Sequence, residues 1–349
     1  MIAERLTAQL LAGAPAPSAE AVLDRLLAVQ AQDARGARLA LRSRTAGLAV
    51  SDVDDALSAR RSMVISWLNR GTLHLVRADD YWWLHPVTTP QITTLNTRRL
   101  RQEGVSAAQA ARGIDVVTDA VQSDGPQSRA ALRDRLDAAR VPTARQALIH
   151  VLMAAALRGE IVRGPMRGSE HLFVAPSQWL GPMPPPLDRA EARARLARRY
   201  LAGHGPADAR DLAKWAGLTL HDARAAFADI RGDLVDRPDG LVDLADRDAA
   251  AKRAGPRLLG PFDPLLLGWA SREPFVGAHT VVTTNGIVRA CALVDGRVVG
   301  TWGLSGSTLT VRLLDRLTAT AVRALRRDAA DVVRFLALER GVNVVIEDA

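Results

Sequence analysis

The chain has 349 residues, 48 % of them hydrophobic, with a mean hydropathy of zero, a formal charge of +8 and a pI near 10.8. That length allows two or three domains and a sizeable core. No apolar run approaches the roughly 18 residues of a membrane span, and Met1-Ile2-Ala3-Glu4-Arg5 does not open a cationic-then-apolar leader. The single cysteine, Cys291, excludes a disulfide framework and a thiolate zinc site and fits a reducing, cytoplasmic compartment. The positive excess is almost wholly arginine, with lysine only at Lys214 and Lys252. It favours an anionic partner, nucleic acid first, although part of it follows from a general bias toward Ala and Arg.

Residues 3–12 and 19–28 read as short helices, the second with Val22, Leu23, Leu26 and Leu27 on a helical spacing. Gln30-Ala31-Gln32 follows. Asp33 then suits the N-cap of a helix over 34–44. Another helix starts at Asp52 or Asp54. The period changes to two strands, Met63–Leu68 and Thr72–Val76, around a basic turn, Asn69-Arg70-Gly71. Helices followed by such a hairpin match a winged helix-turn-helix. Further helices are expected over 79–85, 95–103 and 114–121.

An internal repeat follows. Gly125-Pro126 precedes Ser128-Arg129-Ala130-Ala131-Leu132, and eighty residues later Gly205-Pro206 precedes Asp208-Ala209-Arg210-Asp211-Leu212. The first copy continues into a helix over 144–158 and a hairpin, 160–163 with 171–174. The second continues into a helix over 220–229 and a hairpin, 234–236 with 241–243. The expected fold is therefore α+β, with three tandem winged helix-turn-helix motifs and a β-rich, barrel-like C-terminal domain. The domains are expected at 1–122, 123–182, 187–248 and 249–349, with Met183-Pro184-Pro185-Pro186 as a stiff linker. In the last domain, strands are expected at 279–284, 287–294, 298–303 and 308–314. Asn285-Gly286 and Asp295-Gly296 would be tight turns, with φ > 0 at Asn285. A helix over 316–339 and a strand over 342–346 would complete the chain.

Four segments carry a resemblance: Gln30-Ala31-Gln32, Trp67-Leu68-Asn69-Arg70-Gly71-Thr72-Leu73-His74-Leu75, Phe262-Asp263-Pro264-Leu265-Leu266-Leu267-Gly268 and Val294–Trp302. With them the chain resembles, in order and over nearly its whole length, the AlkZ/YcaQ-type winged-helix DNA glycosylases. The resemblance implies tandem winged helices around a concave DNA-binding face. It also implies excision of N7-alkylated purines, including bulky adducts and, in some members, interstrand crosslinks. The family signature is Gln-x-Gln in one branch and Gln-x-Asp in another. Gln30 and Gln32 match the first form, and Asp33 falls one position too late for the second. A DNA-contacting hairpin of the family would correspond to residues 279–294.

Gln30 and Gln32 are therefore the candidate catalytic residues. On a helix, residues i and i+2 point roughly 200° apart; in an extended segment they share a side. Joint action requires the preceding helix to end by residue 29. An N7-alkylated purine is cationic and already a good leaving group. What remains is to hold water at the anomeric carbon and to stabilise an oxocarbenium-like sugar, which amide carbonyls can do. On spacing alone, two surface glutamines at a helix junction are equally a description of the motif.

Candidate DNA-binding residues are Arg35, Arg38 and Arg42, on one helical face, with Arg70, His74, Asn285 and Arg289. The arginine face reads either as a phosphate strip or as a solvated stripe, and His74 either as a contact or as a structural strand residue. Trp67, Trp82, Trp83, Trp215 and Trp269 are assigned to the core. Asp263 either caps a turn or faces the site. No lysine lies near Gln30 and Gln32, which argues against a Schiff-base, bifunctional enzyme. No metal or other cofactor is expected, since the seven histidines lack ligand spacing. The expected partner is double-stranded DNA with alkylated purines, the expected state a monomer away from membranes, and the expected location cytoplasmic and nucleoid-associated. The other reading is a non-catalytic winged-helix DNA-binding protein or transcriptional regulator.

Overall fold

The computed structural model describes residues 1–168, 170–251, 254–338 and 341–348. The chain opens with α1 (Ile2–Ala8), α2 (Ala19–Leu26), the two-residue β1 (Val29–Gln30), α3 (Ala34–Arg42) and α4 (Val50–Ser58). Next come β2 (Met63–Leu68), β3 (Thr72–Arg77), α5 (Ala78–Thr88), α6 (Pro90–Gln102), α7 (Ala107–Ser123), α8 (Arg129–Ala138), α9 (Ala147–Leu157), β4 (Val162–Arg167), β5 (Glu170–Val174) and α10 (Pro176–Trp179). The last stretch runs α11 (Arg189–His204), α12 (Ala209–Ala216), α13 (Leu220–Asp229), β6 (Leu234–Asp236), β7 (Val242–Leu244), β8 (Arg257–Leu259), α14 (Glu273–Val276), β9 (Cys291–Val294), β10 (Arg297–Ser305), β11 (Thr308–Leu313), α15 (Ala319–Phe335) and β12 (Asn343–Glu347). The fold is mixed α+β. Among the described residues no helix is long and apolar enough to cross a membrane. Two compact units divide the chain: Met1–Val53 with Arg193–Trp215 and Thr219–Ala349, and Asp54–Ala192 with Ala216–Leu218.

The second of these is built on the antiparallel run β3-β2-β4-β5. β2 and β3 pair in the register Ser66↔His74 and Leu68↔Thr72, closed by Asn69-Arg70-Gly71 with Asn69 at φ 41° and Gly71 at φ 79°. The hairpin stands where the sequence places it. β2 takes β4 on its other edge through Ile65↔Arg163, and all six of its residues are buried. Its run of mostly apolar side chains is that of a strand covered on both faces. α7 starts at a capping box, Ser106 with Gln109. α9 is apolar around most of its circumference and forms the centre of the core, with Leu148, Val151 and Leu152 fully buried. Gly113 of α7 lets the two helices approach; a Cβ there would lie 2.9 Å from Val151 Cγ1.

The unit that contains residues 29–42 has its sheet at the C-terminal end, in the order β12-β11-β10-β9-β8. It is an open sheet with edges at β12 and β8, not the expected barrel. β12 adds parallel to β11 (Leu309↔Val344) and the other pairs are antiparallel. The Asp295-Gly296 turn has φ of 47° and 78°, as the sequence requires. It receives α1: a Cβ on Gly296 would lie 2.5 Å from Leu6 Cδ1. α2 and α11 touch at Gly203, where a Cβ would lie 2.4 Å from Arg25 O.

One expectation for the loops of this unit fails. The strands over 279–290 reduce to a single bridge, Val282↔Val288. Its turn runs from Thr283 to Gly286, and Gly286, not Asn285, takes the positive φ of 77°. With glycine next in sequence, the left-handed residue goes where no Cβ opposes it. The helix expected over 316–339 occupies Ala319–Phe335, and its expected end at 339 lies outside the described residues.

Candidate active site at the start of α3

α2 ends in a sharp device. Leu27 has φ 65° and ψ −49°, and Ala28 N donates to Leu26 O at 2.8 Å, a γ-turn with a positive central φ. Leu27 is fully buried. A buried leucine holding that strained conformation turns the chain out of the helix and into the short strand Val29–Gln30, which bends at Gln32 and Asp33 before α3. Asp33 then caps α3 with φ −103° and ψ 112°, accepting from Gly36 N at 2.5 Å.

Between the two helix ends the glutamines share a side. Gln30 Nε2 donates to Gln32 Oε1 at 2.7 Å. Gln30 is 7 % exposed, whereas Gln32 lies open to solvent. The bond fixes which way the Gln32 amide faces. It uses one lone pair of the Gln32 carbonyl and leaves the second to accept another donor.

The start of α3 is wedged against the Gly260-Pro261 turn, far along the sequence. A Cβ on Gly36 would lie 2.4 Å from Pro261 O and 3.2 Å from Asp33 Oδ1, and a Cβ on Gly260 would lie 2.9 Å from Leu39 Cβ and 3.0 Å from Gly36 O. Two glycines therefore let two backbones meet one turn after the Gln-x-Gln segment. Phe262, at φ 58°, takes the next step, and its N–H donates to Val288 O at 3.2 Å. The stem of the loop bearing Asn285 and Arg289 is thus bonded to the turn that braces α3. Asn285 and Arg289 are exposed, as is Ile287.

The other sequence candidates divide sharply. Arg35 is exposed. Arg38 is 7 % exposed and bonds back to Ala34 O. Arg42 points inward, its side chain 2 % exposed between Asp328 and Asp331, at 2.8 Å from each. An exposed strip over all three is thus corrected: Arg38 and Arg42 are buried, Arg42 under α15, and only Arg35 lies in solvent. Arg70 sits half-buried at the centre of the β2–β3 turn. His74 is 2 % exposed, and burial, then the Arg70 charge, hold its pKa down to about 3. It is neutral at pH 7 and lies inside its sheet, away from any solvent-side contact.

Asp263 resolves to the structural alternative. It caps the 3-10 turn Pro264–Leu266 through Leu265 N and pairs with Arg44 through both oxygens. Sequence reasoning missed Arg44, Gln9, Gly36 and Gly260, since each depends on a partner more than thirty residues away. Trp67, Trp83, Trp215 and Trp269 are buried as expected. Burial pushes the Cys291 thiol up to about 12, so it is no nucleophile. Among the described residues no three His, Cys, Asp or Glu cluster as a metal site would need.

The AlkZ-like DNA glycosylase family model matches residues 23–335. The chain belongs to that family. The match takes in the glutamine pair, α3, the Gly260–Gly268 turn and all of α15. Among individual proteins, the chain is similar to the interstrand DNA cross-link repair glycosylase of Streptomyces sahachiroi, 29 % identical over 366 residues, 97 % of this chain and 96 % of that one. Among solved structures it is similar to Streptomyces sahachiroi DNA glycosylase AlkZ, with a TM-score of 0.83 and 27 % identity, covering 100 % of this chain and 98 % of the other. Family membership makes this a DNA-repair glycosylase fold whose substrate is DNA.

Proposed function

We propose that the chain is a monofunctional DNA glycosylase that hydrolyses the N-glycosidic bond of N7-alkylguanine-type purines. We further propose that it acts as a monomer on duplex DNA and accepts bulky adducts and interstrand crosslinks, the lesion class in the name of its Streptomyces relative. The observation that carries this reading is the Gln30–Gln32 hydrogen bond in the non-helical segment between α2 and α3. Gln30, buried, orients Gln32. The free lone pair of the Gln32 carbonyl accepts from the attacking water, and the carbonyl dipole stabilises the sugar cation. The leaving base is already cationic, so no general acid is required of the protein. Arg35 at the first turn of α3 supplies a phosphate contact, and Asn285 and Arg289 supply contacts from the 279–290 loop.

The test is excision of 7-methylguanine from duplex DNA by wild type, Gln30→Ala and Gln32→Ala. Loss of excision in both variants with DNA affinity retained supports the assignment. Tight binding to one specific sequence, with no excision from methylated or crosslinked duplex, would make the protein a regulator instead.

A further inference from the structure

We propose that the outward face of α15 is a second contact surface for the backbone of duplex DNA, remote from the glutamine pair. This rests on DNA being the substrate. α15 is divided lengthwise. Leu325, Ala329, Val332 and Phe335 are buried, and Asp328 and Asp331 turn toward α3, where they hold Arg42. The opposite side carries Arg323, Arg326 and Arg327, all exposed. At 100° per residue the three fall within one third of the helix circumference. The acids of this helix are used inward, one of them also holding Arg334, and these three arginines are left outward.

Among the described residues none of the three has a carboxylate partner. Arg323 donates to Thr320 Oγ1 and Arg326 to Val344 O. Both are neutral acceptors, so the positive charge is not neutralised. Three uncompensated guanidinium groups on one ridge form a local field that a single small anion would not match but a row of phosphates would. A helix that only needed solubility would mix signs on this face.

The position suits flanking DNA. Arg42 ties α15 to the C-terminal end of α3, nine residues beyond Asp33, or about 13 Å along the helix axis. That is about four base pairs of duplex at 3.4 Å each. The arginines, on the side of α15 turned away from α3, would then grip backbone farther out than those four base pairs, with the Arg42 ion pairs keeping the two surfaces in register.

The experiment is the salt dependence of binding to undamaged duplex, compared for wild type, R323Q/R327Q and R133Q/R140Q. The last pair removes the same charge from exposed arginines of α8 and the following turn. The expected result is a slope of log affinity against log salt shallower by about 2 in R323Q/R327Q, with little change in R133Q/R140Q and unaltered thermal melting in both. An unchanged slope in R323Q/R327Q overturns the proposal, as does an equal loss in both double variants, which would report net charge alone. Wild type binding no duplex at all would remove the DNA reading itself, and this surface with it.

Discussion

Arg44 and Asp263 form a two-pronged ion pair, at 2.9 and 2.8 Å, with both side chains fully buried. The remaining Arg44 donors meet Gln9 O, Gln9 Oε1, Ala40 O and Ser43 Oγ, and Gln9 Nε2 passes the network on to Gly203 O. Few buried charges are satisfied so completely, and the pair ties the end of α3 to the turn that braces its beginning.

Removing one partner should therefore cost far more than removing both. Asp263→Asn leaves Arg44 charged and uncompensated, with an expected loss of about 3–5 kcal/mol in urea unfolding. The double variant R44M/D263L should lose less than D263N alone. Equal or additive losses would mean that the bonds lost to Gln9, Ala40 and Leu265, and not the uncompensated charge, set the cost.

Gly36→Ala tests the wedge beside the glutamines. The new Cβ meets a backbone oxygen, which cannot swing away, so α3 or the Pro261 turn must move. The expected stability loss is about 1–3 kcal/mol. The single-turnover excision rate should fall about tenfold or more, since displacements near 1 Å carry penalties of that order, while affinity for undamaged duplex changes little. A rate equal to wild type would show that Gln32 tolerates the shift.

Excision rate should be nearly flat between about pH 6 and 8. Neither amide titrates, and an amide cannot deprotonate water in that range. A single-turnover profile rising steeply with an apparent pKa between those limits would point to a carboxylate or imidazole base in place of the glutamine pair.

Stability should instead depend on pH through two buried histidines. His74 and His204 are held down to about 3, in each case chiefly by burial. Unfolded, each binds a proton near pH 6.5. Between about 6.5 and 3 the unfolded chain thus carries more protons than the native one, and stability falls as pH falls, by up to about 1.4 kcal/mol per unit for each histidine. Above pH 7 neither contributes a slope. Equilibrium unfolding at pH 7, 6, 5 and 4, with His204→Gln flattening the profile, would check this.

Much of the fold was legible from local signals. The helix break before Gln30, the Asp33 cap and the Asp295-Gly296 turn each depend on a few neighbouring residues, and each stands where the pattern places it. The long-range facts were not legible. Arg42 shares a helical face with Arg35, but periodicity says nothing about how far along a helix that face stays uncovered. β2 read as one arm of a two-stranded hairpin because β4, which pairs with its other edge, comes about a hundred residues later. Asp263 was ambiguous for the same reason, since its meaning lies in Arg44.

The sequence distance between Arg44 and Asp263, 219 residues, also sets an order of events during synthesis. At about 5–20 residues per second a ribosome needs about 10–45 s to bring the counter-ion out after the arginine. Asp328 and Asp331, which hold Arg42, follow later still. The glutamine pair is thus among the first segments to emerge and among the last to be braced. A nascent chain stalled anywhere before residue 331 would carry Gln30 and Gln32 without the full set of ion pairs that secure α3, so premature products should be silent toward DNA bases.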